Sequence, residues 1–306
     1  MRIGVDIGGT KTAAVAVTQA GEIVQRLRLP TVRGDLGVVD TAARAITELA
    51  IDLGIEPGEF TSIGVGIPGR VDPETGRVTH AVNLAVEDLE FGAELSARLG
   101  MLVRVENDVN AAALGVYQLL ADESTHSMAY LNLGTGLAAG LVLDGQLWRG
   151  SRGAAGEIGH IPIDPTGPLC PCGQRGCIEV LASGSAVARQ WPGADARPVQ
   201  ELFEAAERGE TRAIEVRHGL VNNIAAAVRI LVLTIDVDTV VLGGGISSLG
   251  EELRATVGEV LEEWSAASPF LASLELASRV RLAPTDYPSA AVGAALVGMA
   301  GTPSLS

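Results

Sequence analysis

The chain has 306 residues, enough for one large or two medium domains, and its formal net charge of −15 disfavours nucleic acid and anionic membranes as partners. With 47% hydrophobic but only 3% aromatic residues, its core must be aliphatic. No charged segment followed by an apolar one opens the sequence, and no apolar run reaches the roughly 18 residues that span a bilayer, so a cytosolic, soluble protein is expected.

Arg2 to Ile7 reads as a short apolar strand, Gly8-Gly9-Thr10-Lys11-Thr12 as a turn, Ala13 to Thr18 as the return strand and Ile23 to Leu29 as a third. A turn with two glycines and two threonines can bring N–H groups and hydroxyls against a phosphate. Lys11 adds a positive donor, and Asp6 at the strand end is placed to hold Mg²⁺ or its waters. An ordinary glycine-rich hairpin has the same pattern. The stretch is neither a Walker A motif nor a Rossmann fingerprint, because its glycines join two strands. Residues 36–53 have helical spacing, 61–67 form a buried strand ended by Pro68-Gly69, and 71–79 form a hairpin around Asp72-Pro73-Glu74-Thr75-Gly76. A helix over 91–99 closes at Gly100, and a strand over 102–105 delivers Glu106-Asn107-Asp108 to an Ala-rich helix over 109–120. A carboxylate at that junction can face a cleft, or can simply cap the helix.

A second strand, glycine turn and strand follow: 127–133, Gly134-Thr135-Gly136 and 138–143. This repeats the layout of residues 2–18 and suggests two related halves facing a shared cleft. Then comes a Pro/Gly-rich loop that holds every cysteine of the chain, Cys170, Cys172 and Cys177, with His160 just ahead. Three thiolates and an imidazole suit a closed structural zinc site. Three buried thiols or a disulfide with one thiol left over are the alternatives, and a reducing cytosol favours the metal. Glu157 and Glu179 flank the cluster, and a loop pinned by metal would fix them too. Helices are expected over 182–190, 199–206, 211–233 and 249–264, with a loop at 191–198. A strand over 239–242 runs into Gly243-Gly244-Gly245, where a ring or phosphate can approach the backbone. A strand over 280–283 and a small-residue helix over 290–299 close the chain.

Together these pieces resemble the ROK family of sugar kinases and sugar-responsive repressors. The resemblance rests on D-I-G-G-T-K at 6–11, G-I-P-G at 66–69, E-N-D-V-N-A-A-A at 106–113, L-G-T-G at 133–136, G-E-I-G-H at 156–160, C-P-C-G-Q-R-G-C-I-E at 170–179 and L-G-G-G-I at 242–246. It implies an α/β, actin-like (ribonuclease-H-like) fold of two domains about a hinged cleft, the first being 1–107 plus 290–306 and the second 108–289. It also implies an ATP-dependent hexose kinase acting on a 6-hydroxyl, with Asp108 as general base. Gly66, Asn107, Asp108, Glu157, His160 and Glu179 would bind the sugar. Gly8, Gly9, Thr10, Lys11, Thr12, Gly134, Thr135 and Gly136 would hold the ATP phosphates, and Gly243, Gly244 and Gly245 the adenosine. Asp6 would carry Mg²⁺, while His160, Cys170, Cys172 and Cys177 would hold a structural Zn²⁺. A homo-oligomer, dimer or tetramer, is expected. The family's repressors carry a helix-turn-helix ahead of the first motif, whereas here Asp6 is the sixth residue, which favours the enzyme. Family glucokinases usually continue Asn-Leu with Pro and Trp, whereas Asn83-Leu84 is followed by Ala85-Val86-Glu87. Glucose is the first acceptor expected; N-acetylmannosamine, N-acetylglucosamine, fructose, mannose and allose are alternatives, as is a sensor that binds sugar without turnover.

Overall fold

A computed structural model describes residues 1–122, 125–192 and 197–299. Part of the expected loop at 191–198 and the last seven positions of the expected first domain lie outside the described residues. The elements are, in chain order, β1 (Arg2–Ile7), β2 (Lys11–Val17), β3 (Ile23–Pro30), α1 (Asp35–Leu53), β4 (Ser62–Ile67), β5 (Arg70–Val71), β6 (Val78–Ala81), β7 (Val86–Leu89), α2 (Phe91–Leu99), β8 (Val103–Asn107) and α3 (Asp108–Leu120). There follow β9 (Ser127–Leu133), β10 (Leu137–Leu143), β11 (Gln146–Trp148), α4 (Ile178–Ala182), α5 (Gly184–Gln190), α6 (Pro198–Glu207), α7 (Thr211–Ile235), β12 (Thr239–Gly243), α8 (Glu251–Ala266), α9 (Pro269–Ala272), β13 (Val280–Leu282) and α10 (Ser289–Val297). They fall into two compact units: Met1–Asp122 with Gly145–Gly153 and Asp286–Ser306, and Glu123–Asp144 with Ala154–Thr285.

In the first unit the sheet order is β3-β2-β1-β4-β8, with β1, β4 and β8 parallel and β2 antiparallel to β1. Strand side chains alternate between faces, and both faces here are covered. On one face Ile3, Val5, Ile7, Ile63 and Val65 pack with Val38, Ala42, Ile46 and Leu49 of α1. On the other, Val15 and Val17 meet Ala291, Val292 and Ala295 of α10. Helix α10 can lie this close only over glycine: a Cβ on Gly4 would sit 1.9 Å from the Ala291 carbonyl oxygen, and one on Gly64 1.8 Å from that of Ala294. A separate small sheet of three strands has the order β5-β6-β7.

The second unit repeats the scheme. Its strands run β10-β9-β12-β13, with β10 antiparallel to β9 and β12 and β13 parallel to it and to each other. The core here joins Leu131, Leu133, Val240 and Leu242 to Val216, Leu220, Ile224, Val228 and Leu231 of α7. By length and mean composition alone α7 would be long and apolar enough to cross a membrane, although Asn222, Asn223 and Arg229 interrupt its apolar residues. Its apolar stripe instead packs into this core. The helix expected over 182–190 starts at Gly184, as α5, because Ser183 separates it from α4 and its hydroxyl accepts from the Ala186 N–H at 3.2 Å as the cap. The helix expected from 249 starts at Glu251, because Gly250 at φ 63° ends a separate short helical turn over 245–249.

Candidate functional site

In the first unit the site-bearing groups gather at the carboxyl ends of three parallel strands. Asp6 of β1, Gly66 of β4 and Glu106 of β8 are register partners across the sheet. Gly66 lets α3 start against β4, since a Cβ there would lie 3.6 Å from the Asp108 Cα and 3.2 Å from the Ala111 Cβ. Asp6 is therefore brought beside Asp108. Burial first, and then the Asp108 charge, push the Asp6 carboxyl up to about 7. Two carboxylates sharing one recess repel, and a cation between them relieves that repulsion.

The turn after β1 is closed by Gly8 N–H to Lys11 O at 2.9 Å. It is braced from the end of β3: Thr31 gives its hydroxyl proton to Gly8 O at 2.8 Å and takes one from Thr12 at 2.9 Å. Arg33 Nε donates to Gly9 O at 3.2 Å. Gly8 and Gly9 are half-buried and Thr10 and Lys11 exposed, so that side of the turn is available to a ligand. Thr12 is fully buried with its hydroxyl committed to Thr31, and it braces the turn from behind.

The E-N-D run is more heavily tied than its sequence suggests. Asn107 is the cap of α3: its Oδ1 accepts from Val109 N at 2.9 Å and Asn110 N at 3.2 Å, and its Nδ2 donates to Gly69 O at 3.0 Å. Its second amide hydrogen has no hydrogen-bond acceptor among the described residues. Asp108 opens the helix, half-buried. Glu106 is 2% exposed and pairs with Arg149, Nε to Oε2, at 2.7 Å.

In the second unit, Cys170, Cys172, Cys177 and His160 bring one ligand atom each to within 4.8 Å of one another. Cys172 and Cys177 sulfurs are 3.6 Å apart, and His160 Nδ1 lies 3.8 Å from the Cys170 sulfur. Thiolates about 2.3 Å from a tetrahedral zinc would be spaced by roughly 3.8 Å, so the four groups fit that ion. Nδ1 faces the cluster, which leaves the opposite nitrogen of the ring for another partner. The Gln174 amide lowers the Cys172 thiol to about 6, whereas burial raises that of Cys177 to about 12. The cluster is thus not three thiolates by its own chemistry, and a bound dication would make it so.

Glu179, in the first turn of α4, reaches back to the second glycine turn. Its Oε2 accepts from Leu137 N at 3.1 Å, and a Cβ on Gly136 would lie 2.5 Å from that oxygen. Its own Cβ is 3.4 Å from where one on Gly159 would be, beside His160. Glu157 lies at the start of the turn that carries His160. The carbonyls of Gly134 and Thr135 are taken by Gly184 and Ser185 N–H at 2.8 and 3.2 Å, and Thr135 stays exposed. The glycine triplet is divided. The Tyr130 ring fills the space beside Gly243, at 2.2 Å from a Cβ, and Leu133 and Asn132 crowd Gly244, leaving Gly245 as its open part. Asn132, which no sequence motif marks, lies between the two turns. Its Nδ2 is 3.3 Å from a Cβ on Gly134, and its Oδ1 is 2.7 Å from one on Gly244. The same holds for Thr31, Arg33 and Arg149, and Glu106 is marked only as the neighbour of Asn107; their partners in space single them out.

Comparison with known proteins gives a consistent picture. The ROK family model matches residues 2–299. A glucokinase of Halalkalibacterium halodurans is 30% identical over 282 residues, 86% of each chain. An N-acetylmannosamine kinase of Haemophilus influenzae is 32% identical over 266 residues, again 86% of each. The crystal structure of a ROK family glucokinase from Streptomyces griseus in complex with glucose and AMPPNP superposes with a TM-score of 0.79 at 30% identity, covering 97% of this chain and 98% of that one.

Proposed function

The chain belongs to the ROK family and has the actin-like, ribonuclease-H-type α/β fold of its sugar kinases, and from that premise we propose that it is an ATP-dependent hexose kinase. Glucose is the first-choice acceptor and its 6-hydroxyl the nucleophile. The reading is carried by the meeting of Asp6 and Asp108 at the strand ends beside a braced glycine turn. Asp108 takes the hydroxyl proton as that oxygen attacks the γ-phosphorus; the bond from this phosphorus to the bridging oxygen breaks, and ADP leaves. A placed carboxylate is worth on the order of 10²–10⁴ in rate. Asn107 contributes its one remaining amide hydrogen to the sugar, and Glu157, His160 and Glu179 accept from or donate to its other hydroxyls. Groups built to pair with hydroxyls penalise a sugar that lacks one. The turns at Gly8–Lys11 and Gly134–Gly136 cradle the phosphates, and Gly245 the adenosine.

Asp6, sharing its recess with Asp108, suits Mg²⁺, which when bound neutralises charge on the transferred group. His160, Cys170, Cys172 and Cys177 suit a structural Zn²⁺ that orients the His160 ring. We place the enzyme in the cytosol, working as a homo-oligomer. The test is ADP release from ATP and Mg²⁺ with a panel of hexoses and N-acetylhexosamines. Turnover fastest on glucose is expected. The likeness to an N-acetylmannosamine kinase makes N-acetylmannosamine the second acceptor to try. Saturable sugar binding with no turnover on any member would mark a sensor and overturn the kinase reading.

A further inference from the structure

Glu106 is a carboxylate buried at the edge of the site that the proposed chemistry does not use. Its Oε2 accepts from Arg149 Nε at 2.7 Å; its Oε1 accepts from Asn107 N and from Asn110 Nδ2, both at 3.0 Å. Asn107 in turn caps Val109 and Asn110. An unbroken chain of polar contacts therefore runs from Arg149 through Glu106 to the helical turn that presents Asp108. Arg149 itself lies on Gly145–Gly153, a stretch that belongs to the first unit although the residues on both sides of it belong to the second. That stretch is tightly shaped: Asp144 and Gly145 have φ of 49° and 74° before β11, and Gly150 has φ of 70° directly after Arg149. Helix α3 and β11 pack together.

We propose that Arg149 is a positioning residue for the phosphoryl transfer, holding Asp108 through an ionic clamp on Glu106; this deepens the kinase reading and rests on it. The recess already contains two carboxylates, Asp6 and Asp108. Glu106 is a further carboxylate, buried directly ahead of the helical turn that begins at Asp108. Without its guanidinium that charge would be intolerable, since a buried charge stripped of its partner costs far more than the pair contributes. The planar fork of Arg, anchored through Nε, fixes direction as well as charge, which Lys reproduces only in part.

The test uses the full-length protein and four variants: Arg149→Met, Arg149→Lys, Glu106→Gln and the Arg149→Met/Glu106→Gln double change. Arg149→Met is expected to lower kcat about 30-fold or more with sugar KM within about threefold, and to speed amide exchange at Val109 and Asn110 about tenfold. Arg149→Lys should recover part of the loss. Adding Glu106→Gln to Arg149→Met should recover more, because it removes the orphaned charge. Should Arg149→Met fail to fold, Arg149→Lys and the double change carry the same comparison. A folded Arg149→Met protein with wild-type kcat, or with unchanged exchange at those two amides, overturns the proposal. If the wild type phosphorylates no sugar, the kinase reading falls, and the exchange data still decide whether Arg149 holds the first turn of α3.

Discussion

Replacing Asp6 by asparagine should stabilise the metal-free protein, and only above acid pH. The folded chain raises this carboxyl from its ordinary value near 3.8 to about 7, through burial and then through the charge of Asp108. The sign follows from linkage. A group that holds its proton more tightly when folded favours folding while protonated, and that advantage is lost as pH rises through the folded pKa. At about 1.4 kcal/mol per pH unit, a displacement of roughly three units sets a ceiling of about 4 kcal/mol. Asp6 keeps some contact with solvent. Solvent screens its charge, so about half of that ceiling is expected. For a chain of this size ~2 kcal/mol is a rise in Tm of about 3 °C. The assay is thermal unfolding of wild type and Asp6→Asn in chelator from about pH 3 to about pH 8.5, a window that spans both pKa values. The two should nearly coincide at the acid end and separate steadily to a plateau above the folded pKa of about 7. A gap that does not change with pH, or a variant less stable than wild type at the alkaline end, would refute the argument that Asp6 sits as a destabilised carboxylate suited to a cation.

Gly136→Ala puts a methyl 2.5 Å from Glu179 Oε2, so the carboxylate that accepts from Leu137 N must shift. Losing the placement of one charged acceptor is worth about 1.5–3 kcal/mol, so glucose affinity by calorimetry should fall roughly tenfold or more; an unchanged affinity would remove Glu179 from the sugar site. Elemental analysis should find one zinc per chain, and Cys177→Ser should abolish it and lower the Tm by more than about 5 °C. Metal-free wild-type protein with an unaltered Tm would contradict the zinc assignment.

What can be read from the sequence is local. The two strand–glycine–strand turns show themselves through apolar runs broken by glycine, and the cysteine cluster through sheer proximity along the chain. The matched topology of the two sheets follows from that repetition. What stays hidden depends on residues distant in sequence. Arg149 and Glu106 are 43 positions apart, and Thr31 braces a turn 23 positions before it. Neither Thr nor Arg has a pattern that distinguishes a brace from a solvated surface group. Glu106 reads in sequence as the neighbour of a functional pair, and only its 2% exposure shows that it must be neutralised. The strands β7 and β11, of four and three residues, are too short for an alternation to be seen. Helix α7 shows the converse: its composition suits a membrane, and the packing of its apolar stripe accounts for it without one.

The claim at the centre is that Asp108 takes the proton of a sugar hydroxyl, and it is tested most directly by Asp108→Asn in rapid-mix single turnover. With wild type, glucose and ATP-Mg²⁺, phosphorus NMR should identify glucose phosphorylated at its 6-hydroxyl. The variant should form it about 10²–10⁴ times more slowly while binding glucose within about threefold of wild type. A variant that transfers phosphate at the wild-type rate would contradict the account.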